Sequence, residues 1–130
     1  MSDPLHAVVE MPGYIDEAKR LFDEVERMEI VDFLARNPTA GDLMPGTGGA
    51  RKLRWALPGR GKRGGARIVT YFGGVDIPVF LLTAFGKNEK ANLNPAERNE
   101  LKAALAALSA AYREGTSRND QGRRKNPSRR

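Results

Sequence analysis

Apolar and polar residues change period several times along this 130-residue chain. The first run, HAVVEM from His6 to Met11, is short and β-leaning, and Pro12 and Gly13 close it. From about Tyr14, the spacing of Ile15, Ala18, Leu21, Phe22 and Val25 predicts one apolar helix face. Met28, Ile30, Val31, Phe33 and Leu34 predict a second helix. It ends before Asn37 and Pro38, because a residue preceding proline is pushed out of helical backbone. Asp23 suits an N-cap between the two. GDLMPGTGGA, residues 41–50, reads as loop.

The period then falls to two. In RKLRW, Leu53 and Trp55 share one face, and Lys52 and Arg54 the other. In ARIVTYF, Arg67, Val69 and Tyr71 alternate with Ile68, Thr70 and Phe72. GGVD is a hairpin turn, and PVFLLTAF, Pro78 to Phe85, is apolar enough to predict a buried strand. After a polar loop, Asn94 caps a helix with Pro95 first and Glu97 at N3, a capping-box variant. Leu101, Ala104, Leu105, Leu108 and Tyr112 form its apolar stripe, which ends near Arg113. Residues 115–130 contain no large apolar side chain, and their composition predicts a disordered basic tail. The expected fold class is α+β, in the order β-α-α-β-β-β-α. Residues 1–114 form the domain, an antiparallel sheet with helices packed on one face and the other face open.

Composition narrows the chemistry. There is no cysteine and only one histidine, His6, so neither a disulfide framework nor a zinc site is expected. No apolar run approaches the ~20 residues that span a bilayer. Met1 to Leu5 contains an acid and no apolar core, so neither a signal peptide nor a membrane partner is expected, and the expected compartment is the cytoplasm. The net charge of +6 is unevenly placed. Residues 1–50 carry ten acids against four bases, whereas residues 51–67 carry seven bases and no acid. Six more bases against one acid follow Glu114. Such asymmetry points to a polyanionic partner.

Alternation places part of that charge. If Leu53, Trp55, Ile68 and Phe72 face the core, Lys52, Arg54, Arg67 and Tyr71 face the other way. Neighbouring strands lie about 4.8 Å apart, so the three cations form one patch that a backbone phosphate would neutralise. Lys87 and Lys90 follow the next strand. Plainer readings stand beside this one. A cationic strand face is often only solvated surface, and the glycines from Gly59 to Gly65 fit a hairpin. GRGKRGG lacks the spacing of a nucleotide-cradling loop. Trp55 suits the core, His6 a structural contact and Tyr71 a half-buried packing position. The patch lacks a nucleophilic cysteine, a histidine or a carboxylate cluster of the kind metal nucleases use. RNA supplies its own nucleophile, the 2′-hydroxyl. Lysine as a general base and arginines around the phosphorane would then suffice, with no cofactor.

GTGGARKLRW, GKRGGARIVTYF and FLLTAFGKNEKANL, in this order, resemble the RelE/HigB-type toxins of bacterial type II toxin–antitoxin systems. The resemblance covers roughly Val8 to Tyr112. It implies a microbial-RNase-like fold and metal-independent endoribonuclease activity on mRNA in the ribosomal A site. It implies two partners: the ribosome with its 16S RNA, and a cognate antitoxin, often a helix-turn-helix protein. It places catalytic cations at Lys52, Arg54, Arg67, Lys87 and Lys90. The family's RelE branch has an arginine after the loop lysine and a stacking tyrosine beyond it, where this chain has Asn88 and Leu93. Lys90 as the acid and Tyr71 as the stacking residue are the alternatives. The long glycine-rich hairpin adds Arg60, Lys62 and Arg63, with Arg51 upstream, as RNA- or ribosome-binding candidates. Two other readings stay open: a ParE-like DNA gyrase inhibitor, and a noncatalytic RNA- or ribosome-binding module.

Overall fold

The structure is a computed structural model that describes residues 5–56, 65–86 and 93–125, with side chains described only as far as residue 113. Strand β1 (Val8–Glu10) leads into α1 (Pro12–Leu21) and α2 (Glu24–Arg36). Strands β2 (Asp42–Leu43), β3 (Ala50–Trp55), β4 (Ala66–Phe72) and β5 (Val79–Gly86) follow, then α3 (Pro95–Lys125). The class is α+β, as the pattern predicts. The sheet order is β1-β5-β4-β3-β2. β2 through β5 pair antiparallel, and β1 adds a parallel edge beside β5.

Local signals explain most element ends. Pro12 opens α1, where the missing N–H costs nothing, so the helix starts two residues before Tyr14. Asp23 starts α2 with a full capping box: its side chain accepts from the Glu26 amide at 2.8 Å, and the Glu26 carboxylate accepts from the Asp23 amide at 2.8 Å. Asn94 and Glu97 repeat that exchange at α3, at 2.8 and 2.9 Å. The expected helix end near Arg113 is passed, and α3 continues to Lys125. No proline occurs until Pro127, and Gly115 and Gly122 cost only about 1 kcal/mol each in a helix interior.

Residues 41–50 are not all loop, because Asp42 and Leu43 pair with Lys52 and Arg51. Two residues are too few to show a period, so the pattern hides this strand. Gly41 makes it possible: its φ is 96°, and a Cβ there would meet the Lys52 carbonyl oxygen at 2.9 Å. Thr47, fully buried, fastens the following turn by donating to the Met44 carbonyl at 2.7 Å and accepting from the Ala50 amide at 3.0 Å.

The sheet has helices on both faces, and the expectation of one open face is corrected accordingly. On the first face, α1 and α2 pack Tyr14, Ala18, Leu21, Phe22, Ile30 and Leu34 against Ala66, Ile68, Val79 and Leu81. Trp55 joins this core edge-on to Phe33 at 5.6 Å. On the second face, α3 brings Leu101 and Leu105 over Met44, Ala50, Val69 and Phe85, and Tyr112 meets Phe80 at 5.3 Å. A strand as apolar as β5 needs cover on both sides, and α3 supplies the second. Val25, expected on the first helix face, is instead exposed on α2. His6 is a structural contact: its ring lies 2.8 Å from the Ile77 carbonyl and 5.4 Å from Phe72. No helix among the described residues is long and apolar enough to cross a membrane.

Candidate functional site

Strand register decides which cations meet. In the β3–β4 ladder Arg54 stands directly opposite Arg67. Lys52 stands opposite Val69, two residues along the same side of β3. Leu53 and Trp55, facing Ile68 and Ala66, point into the first-face core. The three cations therefore share the second face. Directly opposed residues on one face have Cβ atoms about 5 Å apart, and diagonal ones are about 7–8 Å apart. Arg54 is exposed; Lys52 and Arg67 are half-buried.

The cations sit at one end of that face. Helix α3 covers the rest, over Ala50, Val69 and Phe80, and its cluster reaches Phe85 beside Arg67. At the cationic end the register closes with Trp55 against Ala66 and Ala66 against Gly86. Phe85, opposite Arg67, is buried and makes an apolar boundary on the β5 side. Two identical charges set opposite each other in a ladder destabilise it. Among the described residues, no ion pair takes in Arg54 or Arg67. Arg67 makes a local contact in which one guanidinium nitrogen donates to the Ala66 carbonyl at 3.3 Å. Two planar guanidinium forks side by side offer several N–H donors toward a tetrahedral oxyanion, the arrangement that recognises phosphate.

Other sequence-predicted residues fall elsewhere. Arg51 lies on the opposite side of β3 from Lys52, where it donates to the Thr39 carbonyl at 3.0 Å and the Gly41 carbonyl at 3.3 Å. It holds the loop after α2 and is not brought to the cluster. Tyr71 is on the cationic face but four residues from Arg67, about 13 Å along a strand. It packs near Leu105 and lies over Phe80 at a ring distance of 6.4 Å. That places it in the covered half, away from the cations. Arg60, Lys62 and Arg63, and likewise Lys87 and Lys90, lie outside the described residues. The described strand ends that precede them in sequence, Trp55 and Gly86, are at the cationic end.

The pattern also missed a neighbour. Asp42 on β2 is the register partner of Lys52 and brings a carboxylate to the border of the basic row. Reading residues 41–50 as loop concealed it, and the acid followed by an apolar residue was the only local cue. Among the described residues, no group of three His, Cys, Asp or Glu side chains is arranged to hold a metal ion. What the cluster can do is bind a phosphodiester and stabilise charge that grows on its oxygens.

A family model describing the RelE toxin of the RelE/RelB toxin–antitoxin system matches residues 21–121, which include all three cations.

Proposed function

The chain belongs to the RelE toxin family, and on that premise we propose that it is a ribosome-dependent endoribonuclease that cleaves mRNA in the cytoplasm. Toxins of this family pair with antitoxins and are generally endoribonucleases that inhibit translation. The observation that carries the reading is the opposed Arg54–Arg67 pair, with Lys52 beside it, at the cationic end of the sheet. The pair favours the nuclease over a gyrase inhibitor, which cuts no RNA, while a binding module would use it only to hold a backbone phosphate.

The reaction assigned to this site needs no metal. The 2′-oxygen of a messenger nucleotide attacks the adjacent phosphorus, and the P–O5′ bond breaks. A 2′,3′-cyclic phosphate and a 5′-hydroxyl result. Lys52 is assigned to accept the 2′-hydroxyl proton. Arg54 and Arg67 hold the non-bridging oxygens, where charge increases in the phosphorane. Lys87 and Lys90 are the candidates for returning a proton to the leaving oxygen. Arg60, Lys62 and Arg63 are assigned to ribosomal RNA, where cations bind backbone phosphates independently of sequence. A cognate antitoxin, taken to be a helix-turn-helix protein, completes the system.

The test is to add the protein to translating ribosomes and map the 5′ ends of the messenger. New ends within codons support the nuclease. DNA breaks with intact messenger support gyrase inhibition instead, and stalled translation with intact messenger and DNA supports a binding module.

A further inference from the structure

Helix α3 is longer than the sheet it covers. Its 31 residues make about 46 Å of helix, against about 27 Å of strand for the eight residues of β5. Up to Arg113 it runs along the second face. Leu101 and Leu105 share a cluster with Phe85, the register partner of Arg67, and Tyr112 meets Phe80, the register partner of Tyr71. Arg113 fastens the helix just past the end of β4: one guanidinium nitrogen donates to the Gly73 carbonyl at 3.0 Å and another to the Ser109 hydroxyl at 2.9 Å. Residues 114–125 then continue the helix. At 1.5 Å per residue they carry the backbone about 18 Å further from the cations of the candidate site.

This extension has no packing role to explain it. Its sequence, EGTSRNDQGRRK, contains no large apolar side chain and so adds nothing to either core. It is also a weak helix former, with two glycines and with Thr116, Ser117, Asn119 and Asp120. A helix that is polar all round draws its stability from something other than a core. What the extension carries is charge: Arg118, Arg123, Arg124 and Lys125 against Glu114 and Asp120. The helix dipole favours cations in a last turn, which accounts for the final three but not for Arg118. Arg118 and Lys125, seven residues apart, share one face, while Arg123 and Arg124 fall on others, so the positive positions surround the axis. Three of the four lie beyond the residues the family model matches.

We propose that the C-terminal end of α3 is a second phosphate-binding element, which holds the backbone of a folded RNA at a distance from the scissile linkage. Gly73 is six residues from Arg67, about 20 Å along the strand direction, and Lys125 lies about 18 Å beyond Arg113. Two basic ends so far apart cannot share one phosphodiester, but one folded RNA can span both. Cations bind backbone phosphates without reading the bases. Phosphates would also relieve the repulsion among Arg123, Arg124 and Lys125, and so favour the helix that the sequence alone supports weakly. The choice of RNA rests on the nuclease reading; the phosphate site itself does not.

The probe is an RNA hairpin methylated at every 2′-oxygen, which the proposed reaction cannot cut, so that binding is read apart from cleavage. Its affinity for the full chain is followed by fluorescence anisotropy across a salt series. Arg118→Gln, Arg123→Gln, Arg124→Gln and Lys125→Gln combined should weaken binding by about tenfold or more at low salt. The slope of log Kd against log salt should become shallower by about 3–4, close to one counterion for each cation removed. The melting temperature should stay at the parent value, because the segment adds nothing to either core. Lysine at the three arginine positions should keep the parent slope, since a backbone contact of this kind uses charge rather than the guanidinium fork. An unchanged slope in the glutamine variant, or a loss that lysine does not restore, would overturn the proposal. So would a slope change confined to a DNA duplex of the same length, since the occupant would then be DNA. The expected slope change with no messenger cleavage on ribosomes would leave the phosphate site standing and count against the nuclease reading alone.

Discussion

The second face of the sheet has two halves built from the same three strands. At one end Ala50, Val69, Tyr71 and Phe80 lie under α3, and aromatic rings interlock. At the other end exposed Arg54 and half-buried Arg67 oppose each other, beside Phe85, where the α3-covered cluster ends. Alternation treats both halves alike, because Arg67 and Tyr71 belong to one period-two row. What separates them is the extent of a helix distant in sequence. The covered half contributes stability. The cationic half holds two like charges in register, a repulsion that a bound anion would relieve, which is a reason to read it as the functional end.

The largest expected effect is on chemistry. Arg67→Ala should lower messenger cleavage by about 10²–10³, the usual loss when one donor to a growing oxyanion is removed. Its melting temperature should stay near that of the parent, because Arg67 makes only a local backbone contact. Tyr71→Phe makes the contrast sharper: cleavage should be unchanged, since the hydroxyl lies in the covered half. Loss of cleavage in Tyr71→Phe with retained activity in Arg67→Ala would reverse the assignment of the two ends.

Next comes the covered half. Leu105→Ala should destabilise the fold by about 2–5 kcal/mol, because this buried side chain joins α3 to the sheet. Denaturant titration measures it. A loss well below that range would mean that α3 is not fixed on this face.

Caps give a smaller effect. Asp23→Ala should cost about 1 kcal/mol by breaking the reciprocal exchange with Glu26. It lies in α2, on the first face, so messenger cleavage per folded molecule should not change.

The smallest effect at neutral pH is at Tyr14. Its hydroxyl is buried without a partner. Burial first, and the Glu10 carboxylate second, push its pKa upward, against a weaker opposite pull from Arg27. The native state therefore favours the neutral phenol. That contribution is complete below the unfolded pKa of about 10, and is lost as pH rises above it toward the higher native value. Tyr14→Phe should cost little at pH 7, since no hydrogen bond is lost. It should flatten the fall in melting temperature above about pH 10, the range where tyrosine ionises in the unfolded chain. An unchanged alkaline slope would rule out Tyr14 as a cause of that fall.

Much of the molecule was legible where physics is local. The capping box at Asn94, the N-cap at Asp23, the strand alternation and the packing of Trp55 against the core follow from side-chain types at fixed spacing. So does the placement of Lys52, Arg54 and Arg67 on one face, because a period of two leaves no other choice once Leu53 and Ile68 are inside. What stayed hidden depends on contacts between distant segments. Strand β2 has two residues and no period. The parallel pairing of β1 with β5 joins Val8 to Val79 across most of the chain. The position of α3 on the second face was indicated only indirectly, by a β5 run too apolar to face water. Arg51 illustrates the same limit within the site: its charge matches its neighbours, but its side of the strand and the Thr39 carbonyl give it a structural task.

One measurement reaches the central claim most directly, a double-mutant cycle on Arg54 and Arg67 in single-turnover messenger cleavage on ribosomes. If the two guanidinium groups act on one phosphate, the losses do not multiply, and the double alanine variant is scarcely slower than the worse single one. If the two losses multiply as independent factors, or either single variant cleaves like the parent, the opposed pair is not the catalytic unit.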